Sequence, residues 1–224
     1  MLIRLLTQLT LWLIFQGALF FVAAGTLNWP QGWAFIIEFG LLCLGISLWL
    51  LKTDPGLLAE RMGGINQKDQ VGADRIVMGA IMLFWCLWCV IIGLDQRWHG
   101  SRLPLWLEVF GGMALAAGFA VIMVVFRTNS FAAPVVKIQQ DRGQHLIDTG
   151  PYALVRHPMY VGGMLVFLGI PLMLGSLWGL ALIPVLIGAV VARMVVEERT
   201  LMRDLAGYGD YAARVRWRVV PYLW

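Results

Sequence analysis

Charge is what this chain has least of. Only 13% of its residues are Asp, Glu, Lys or Arg, about half the usual share in a soluble domain. None of them falls between Leu5 and Ile37 or between Pro158 and Ala192. Such runs cannot form the water-facing surface of a soluble fold, and they exclude that class. Cysteine is also scarce: Cys43, Cys86 and Cys89 all sit in apolar stretches. Cys86 and Cys89 have C-x-x-C spacing, but IMLFWCLWCVII offers no turn and no ligand company, so all three are expected to be buried free thiols. Three scattered histidines cannot complete a zinc cluster with them, and no metal is expected.

What the chain does have is apolar length. Hydrophobic residues make up 60% of the sequence, and mean hydropathy is +0.77. A span needs about 20 apolar residues, which predicts an all-α integral membrane protein with about six transmembrane helices. The first run breaks at Asn28-Trp29-Pro30-Gln31-Gly32, giving helices near 5–27 and 31–51. Val22-Ala23-Ala24 is a weak cleavage site behind a single basic residue, Arg4, so a retained helix is expected rather than a signal peptide. Further helices are predicted near 76–94 and 104–126. The last run, 158–192, is interrupted by Gly175-Ser176-Leu177-Trp178-Gly179 and predicts a hairpin of two short helices. The chain thus divides into four N-terminal helices, 1–126, and a region 127–224 made of a polar connector, the hairpin and a basic tail from 193.

The formal net charge of +4 would by itself suit a nucleic-acid partner. Its distribution argues for membrane orientation instead. With the N-terminus cytoplasmic and strict alternation, every one of the 17 basic residues except Arg97 and Arg102 lies on the cytoplasmic side, as the positive-inside bias requires. Both termini are therefore expected in the cytoplasm and no nucleic acid as partner. Trp29, Trp33, Trp98, Trp106 and Trp178 form an expected outer interfacial belt. Glu38 and Glu108 are intramembrane carboxylates, costly and often functional, within a turn or two of that boundary.

The chemistry-bearing stretch is GQHLIDTGPYALVRHPMYVGG, residues 143–163. The connector that contains it runs over 127–157, longer than ordinary helix-to-helix loops, and is too rich in Phe131, Val135, Val136, Leu146 and Tyr152 to be disordered. Gly150-Pro151 marks a turn. His157 precedes a proline and favours extended backbone, while Pro158 suits the first helical position. The amides of Met159 and Tyr160 would then project from a helix N-terminus, a ready anion site. Gly162 and Gly163 open the first turns to close approach. The same residues also suit plain anchoring of a helix at the interface. Arg193 and Glu197, four apart, share a helix face and follow the long uncharged run with Glu198; an interfacial pair with Arg193 snorkelling is the bland alternative.

GPYALVRHPMYVGG, followed by VEERTLMRDLAGYGDYAARVRWRVVP, resembles the isoprenylcysteine carboxyl methyltransferase family, whose relatives include phospholipid N-methyltransferases, small-thiol methyltransferases and, more remotely, sterol reductases. The resemblance covers roughly residues 125–221. It implies S-adenosylmethionine as cofactor, no Rossmann domain, a cofactor pocket on the cytosolic side built from the C-terminal half, and a lipidic or small amphiphilic acceptor entering from the bilayer. By motif, Tyr152, His157, Pro158, Met159 and Tyr160 would line the cofactor pocket, with Gln144, His145, Leu146 and Ile147 as its flank and Lys137 beside it. Gln144 stands where the family has His, and Lys137 where eukaryotic members have Gln. Glu197 would contact the cofactor, Arg193 would face the acceptor, and Arg193, Glu197 and His157 would carry catalysis. The implied reaction is methyl transfer to a lipid carboxylate of the isoprenylcysteine kind. Phospholipid amines and small thiols stay open as acceptors, and a nicotinamide-dependent reductase or a non-catalytic lipid-binding protein as more distant readings.

Overall fold

The computed structural model describes residues 1–98, 100–222 and 224. The described residues form helices and turns, with no strand among them. Helix α1 (Leu2–Ala24) stops at Gly25, whose φ of 70° lets its amide turn back onto the Phe21 and Val22 carbonyls; this is the C-terminal glycine signal, several residues ahead of the break expected from sequence. Helix α2 (Pro30–Thr53) starts with proline at its first position. Asp54 then caps α3 (Pro55–Arg61) by accepting from the Leu57 amide at 2.9 Å, a short helix whose Leu57 and Leu58 are buried. Helix α4 (Gly72–Arg97) begins four residues earlier than the apolar run, so Asp74 lies in its first turn and not in the preceding loop.

Helix α5 (Leu105–Thr128) leads into the connector, which holds two 3-10 turns at Gln140–Arg142 and Gly150–Ala153. Helix α6 (Pro158–Met173), the one-turn α7 (Leu177–Ala181), α8 (Ile183–Asp204) and α9 (Tyr208–Arg214) complete the chain. Five helical segments are long and apolar enough to cross a membrane: α1, α2, α4, α5 and the run Leu177–Asp204. The 16-residue α6 is roughly 24 Å long at 1.5 Å per residue, short of a ~30 Å hydrocarbon core. The expected second short helix of the hairpin is not short: α8 continues twelve residues past Ala192 into the predicted tail, ending at Asp204. Arg193, Glu197 and Glu198 are therefore helical, as strong helix formers with no Gly or Pro among them allow.

The core is built from close-packed aromatics and glycines. Phe20 and Phe21 of α1 pack edge-on against Trp29, and Phe39 of α2 against Phe119 of α5. Trp29 is thus 1% exposed and belongs to the core, not to the expected belt, while Trp33, Trp98, Trp106 and Trp178 are exposed. The antiparallel pair α5–α6 is the tightest contact in the fold. A Cβ on Gly118 would stand 2.6 Å from the Gly162 carbonyl oxygen, and one on Gly169 would stand 2.7 Å from that of Gly111. Backbone thus meets backbone, the geometry that small residues permit in lipid. At the end away from the connector, Trp88 donates to the Gly179 carbonyl (2.8 Å), and Ser176 donates to buried Asp95 (2.6 Å). The three cysteines are free, and Glu108 accepts from Gln31.

Candidate active site

The connector is held down by charged groups from both halves of the chain. Arg61 of α3 donates to the Ala132 carbonyl at 2.9 Å and stacks over Phe126; burial, with Arg193 nearby, pushes its pKa down to about 10. Lys137 pairs with Glu60 at 2.6 Å. Asp74, fully buried, accepts from Gln70, from the Val136 amide (2.9 Å) and from Arg193 Nε (3.1 Å). Arg193 also donates to the Pro134 carbonyl at 2.5 Å. Asp74 is therefore a hub joining α4, α8 and the connector. Asp74→Asn is expected to keep the Val136 bond but lose the charge on Arg193, costing about 1–3 kcal/mol as a lowered unfolding midpoint in detergent.

Further along, Asn129 donates to the Tyr152 hydroxyl (2.9 Å), and Gln139 and Gln144 close the loop between them through the Gln139 amide (2.7 Å). Tyr211 of α9 donates to the Tyr152 carbonyl (2.8 Å). The tail returns under the corner that opens α6: the amides of Arg156 and His157 donate to the carbonyls of Trp217 and Arg218 at 2.9 and 2.8 Å. Beneath them Glu198 accepts from Arg156 Nε (2.6 Å), His157 Nε2 (3.2 Å) and Arg218 Nε (2.7 Å). A carboxylate facing His Nε2 is best met by an N–H there, which leaves Nδ1 as the free nitrogen of the ring.

These elements line one cavity, whose empty space of about 830 Å³ includes its open mouth. All eleven residues expected from sequence to hold a cofactor line it: Lys137, Gln144, His145, Leu146, Ile147, Tyr152, His157, Pro158, Met159, Tyr160 and Glu197. Glu197 accepts from the Tyr160 hydroxyl at 2.7 Å, so α8 and α6 meet at the cavity wall. Arg193 stands outside the cavity, its guanidinium 5.9 Å from the centre of the Tyr160 ring.

Three details depart from the sequence reading. Arg193 does not pair with Glu197; it turns to Asp74 through Nε and to the Pro134 carbonyl through Nη2, which commits two of its five N–H donors within the fold. The Tyr160 amide donates to the His157 carbonyl at 3.1 Å in a tight first turn, which leaves the expected anion site one amide rather than two. Lys137 is tied to Glu60. Sequence reasoning also gave no individual role to Asp74, Asn129, Arg156, Glu198, Arg218 and Tyr208. For most of these no local signal exists, since their partners lie 20 to 119 residues away.

Among the described residues no group of His, Cys, Asp and Glu could hold a metal ion. No curated protein shows a significant match to the chain. Residues 106–208, the span of chain that runs from α5 through the connector to Tyr208 and supplies every cavity-lining residue but Tyr211, match the model of the phospholipid methyltransferase family.

Proposed function

We propose that the chain is a multi-pass membrane methyltransferase that uses S-adenosylmethionine to methylate a lipid-borne acceptor. The observation that carries this reading is the Tyr160–Glu197 hydrogen bond on the wall of a cavity ringed by the histidine–proline corner. Bound there, S-adenosylmethionine supplies a methyl group activated on a sulfonium cation. The residues fit such a ligand. Glu197 offers a carboxylate to a cationic or hydroxyl-bearing portion, Tyr152 and Tyr160 offer ring faces, and the α6 N-terminus favours a carboxylate. Leu146, Leu201 and Leu205 supply an apolar flank for a purine.

Catalysis by this constellation is chiefly positioning, with reacting atoms held about 3–3.5 Å apart, and exclusion of water by the connector, which favours a step in which charges cancel. A carboxylate acceptor needs no general base. An amine acceptor does, and His157 Nδ1 is the candidate, with Glu198 holding the opposite nitrogen. Two observations favour the amine reading over the isoprenylcysteine carboxylate: the match to phospholipid methyltransferases, and the commitment of two Arg193 donors to Asp74 and Pro134. Arg193 then acts as a positioning residue behind Tyr160. The basic residues of the 52–75 loop, the connector and the tail support, through the positive-inside bias, a cytoplasmic cavity mouth and cytoplasmic termini.

The direct test offers the purified protein radiolabelled S-adenosylmethionine with total phospholipids, prenylcysteine analogues and small thiols. Label in the phospholipid pool is expected, label in the prenylcysteine would select the carboxylate reading, and label in none of the three would overturn the proposal. Glu197→Ala is expected to weaken S-adenosylhomocysteine binding by about 10- to 100-fold, the loss of one charge-assisted contact, by isothermal titration. Its stability should fall only modestly, by about 1–3 kcal/mol, because among the described residues Tyr160 alone bonds the Glu197 side chain.

A further inference from the structure

The cavity has two chemically distinct ends. Glu197, Tyr160 and His157 form one. Along the same face of α8, Leu201 lies one turn beyond Glu197 and Leu205 two turns beyond, roughly 12 Å away at 1.5 Å per residue. There Leu146, Leu201 and Leu205 pack against Tyr208 and Tyr211 of α9. Tyr208 is 3% exposed, yet its hydroxyl has no hydrogen-bond partner among the described residues, and the residue lines the cavity. Tyr211, its edge-to-face neighbour at 5.6 Å, is satisfied by the Tyr152 carbonyl. An orphan hydroxyl in an apolar pocket costs free energy and calls for an explanation.

We propose that Tyr208 is the residue that recognises the purine of the adenosyl cofactor, its hydroxyl donating a hydrogen bond to a ring nitrogen of the base. This rests on the reading of the cavity as an adenosyl site. Three features converge on it. The cationic portion of such a ligand belongs at Glu197, so its base falls at the opposite end. That end is lined by leucine and tyrosine side chains, which suit the apolar face of a π-system. Its unsatisfied polar atom is a donor: burial, and to a lesser degree the negative charges of Glu198 and Glu197, raise the Tyr208 pKa and keep the hydroxyl protonated. A site built to hydrogen-bond a ligand group discriminates strongly against an analogue that lacks it. Tyr208 would thus set selectivity for adenine without touching the reacting atoms.

The test pairs Tyr208→Phe with S-adenosylhomocysteine and its analogues in which N1, N3 or N7 of the base is replaced by C–H. Titration should show the variant binding S-adenosylhomocysteine about 5- to 100-fold more weakly than the parent. For one of the three analogues, parent and variant should bind equally, because the bond is already missing on the ligand side. The ligand-free variant should unfold at the same or a higher temperature, since removing an orphan hydroxyl removes a penalty. Equal binding of S-adenosylhomocysteine by parent and variant would overturn the assignment, as would a lowered midpoint with all four ligands weakened by one common factor, the mark of a structural tyrosine. If the parent itself binds no S-adenosylhomocysteine, the adenosyl reading of the cavity fails and the assignment with it.

Discussion

Glu198→Ala is expected to abolish methyl transfer and to lower stability by about 3–5 kcal/mol, the usual cost of stranding buried charges. One carboxylate here accepts from three side chains: Arg156 and His157 on one oxygen and Arg218 on the other. Arg156 is 8% exposed and His157 5%, so neither recovers its hydrogen bonds from water when the carboxylate goes. Arg156 also reaches the Val215 and Arg216 carbonyls at 2.8 and 3.0 Å, so the knot ties α8 to the corner before α6 and to the returning tail. Releasing it should unlatch the floor of the cavity. Thermal unfolding in detergent and titration with S-adenosylhomocysteine should both register the loss, and Glu198→Gln should fall between, keeping an acceptor but not the charge. Adjacent glutamates thus carry different signatures, weakened binding with a modest loss of stability for Glu197→Ala and a large loss of both for Glu198→Ala. A parent-like midpoint and affinity in Glu198→Ala would show that the tail and corner hold together without it.

Gly162→Leu is the second large effect, expected to prevent assembly of the fold. A Cβ at this position would meet the Gly118 carbonyl oxygen and Ile122 Cγ1, both at 2.8 Å, and backbone atoms cannot step aside as a flexible side chain can. The helices would have to separate over their whole length, because Gly111 faces Gly169 in the same way two turns further on. Overpacking typically costs about 1–3 kcal/mol where side chains can adjust, and a backbone clash repeated along a helix pair should exceed that. Gly163 is the internal control. A Cβ there meets nothing within 4 Å, so Gly163→Ala should be tolerated or gain up to about 1 kcal/mol of helix propensity. Size-exclusion profiles in detergent should separate the two, monodisperse for Gly163→Ala and aggregated for Gly162→Leu. Comparable profiles would mean that the α5–α6 approach is looser than its geometry states.

The two glycines show where sequence reading reaches its limit. Both were marked as sites of close approach, yet only contact with α5 distinguishes the one that is crowded from the one that is open. The same holds for the glutamates. Their spacing from Arg193 left an interfacial Arg193–Glu197 pair open as the bland alternative, but helix periodicity says only which side chains share a face. Arg193 found Asp74, 119 residues away, and Glu197 found Tyr160.

By itself the sequence determined that the chain is helical and membrane-embedded, that proline and glycine punctuate its helices, and that the histidine–proline corner opens α6 where polar residues gather. Each of these is a local consequence: uncharged runs cannot face water, proline cannot sit inside a helical ladder, and a residue before proline is pushed out of the helix. The tertiary structure alone decided which carboxylate meets which cation, that α3 and the start of α4 reach over to clamp the connector, and that the Tyr208 hydroxyl is buried without a partner among the described residues beside the cavity. Those outcomes depend on contacts between elements distant in the chain, where burial makes every unpaired charge expensive and so selects partners that no spacing along the sequence encodes.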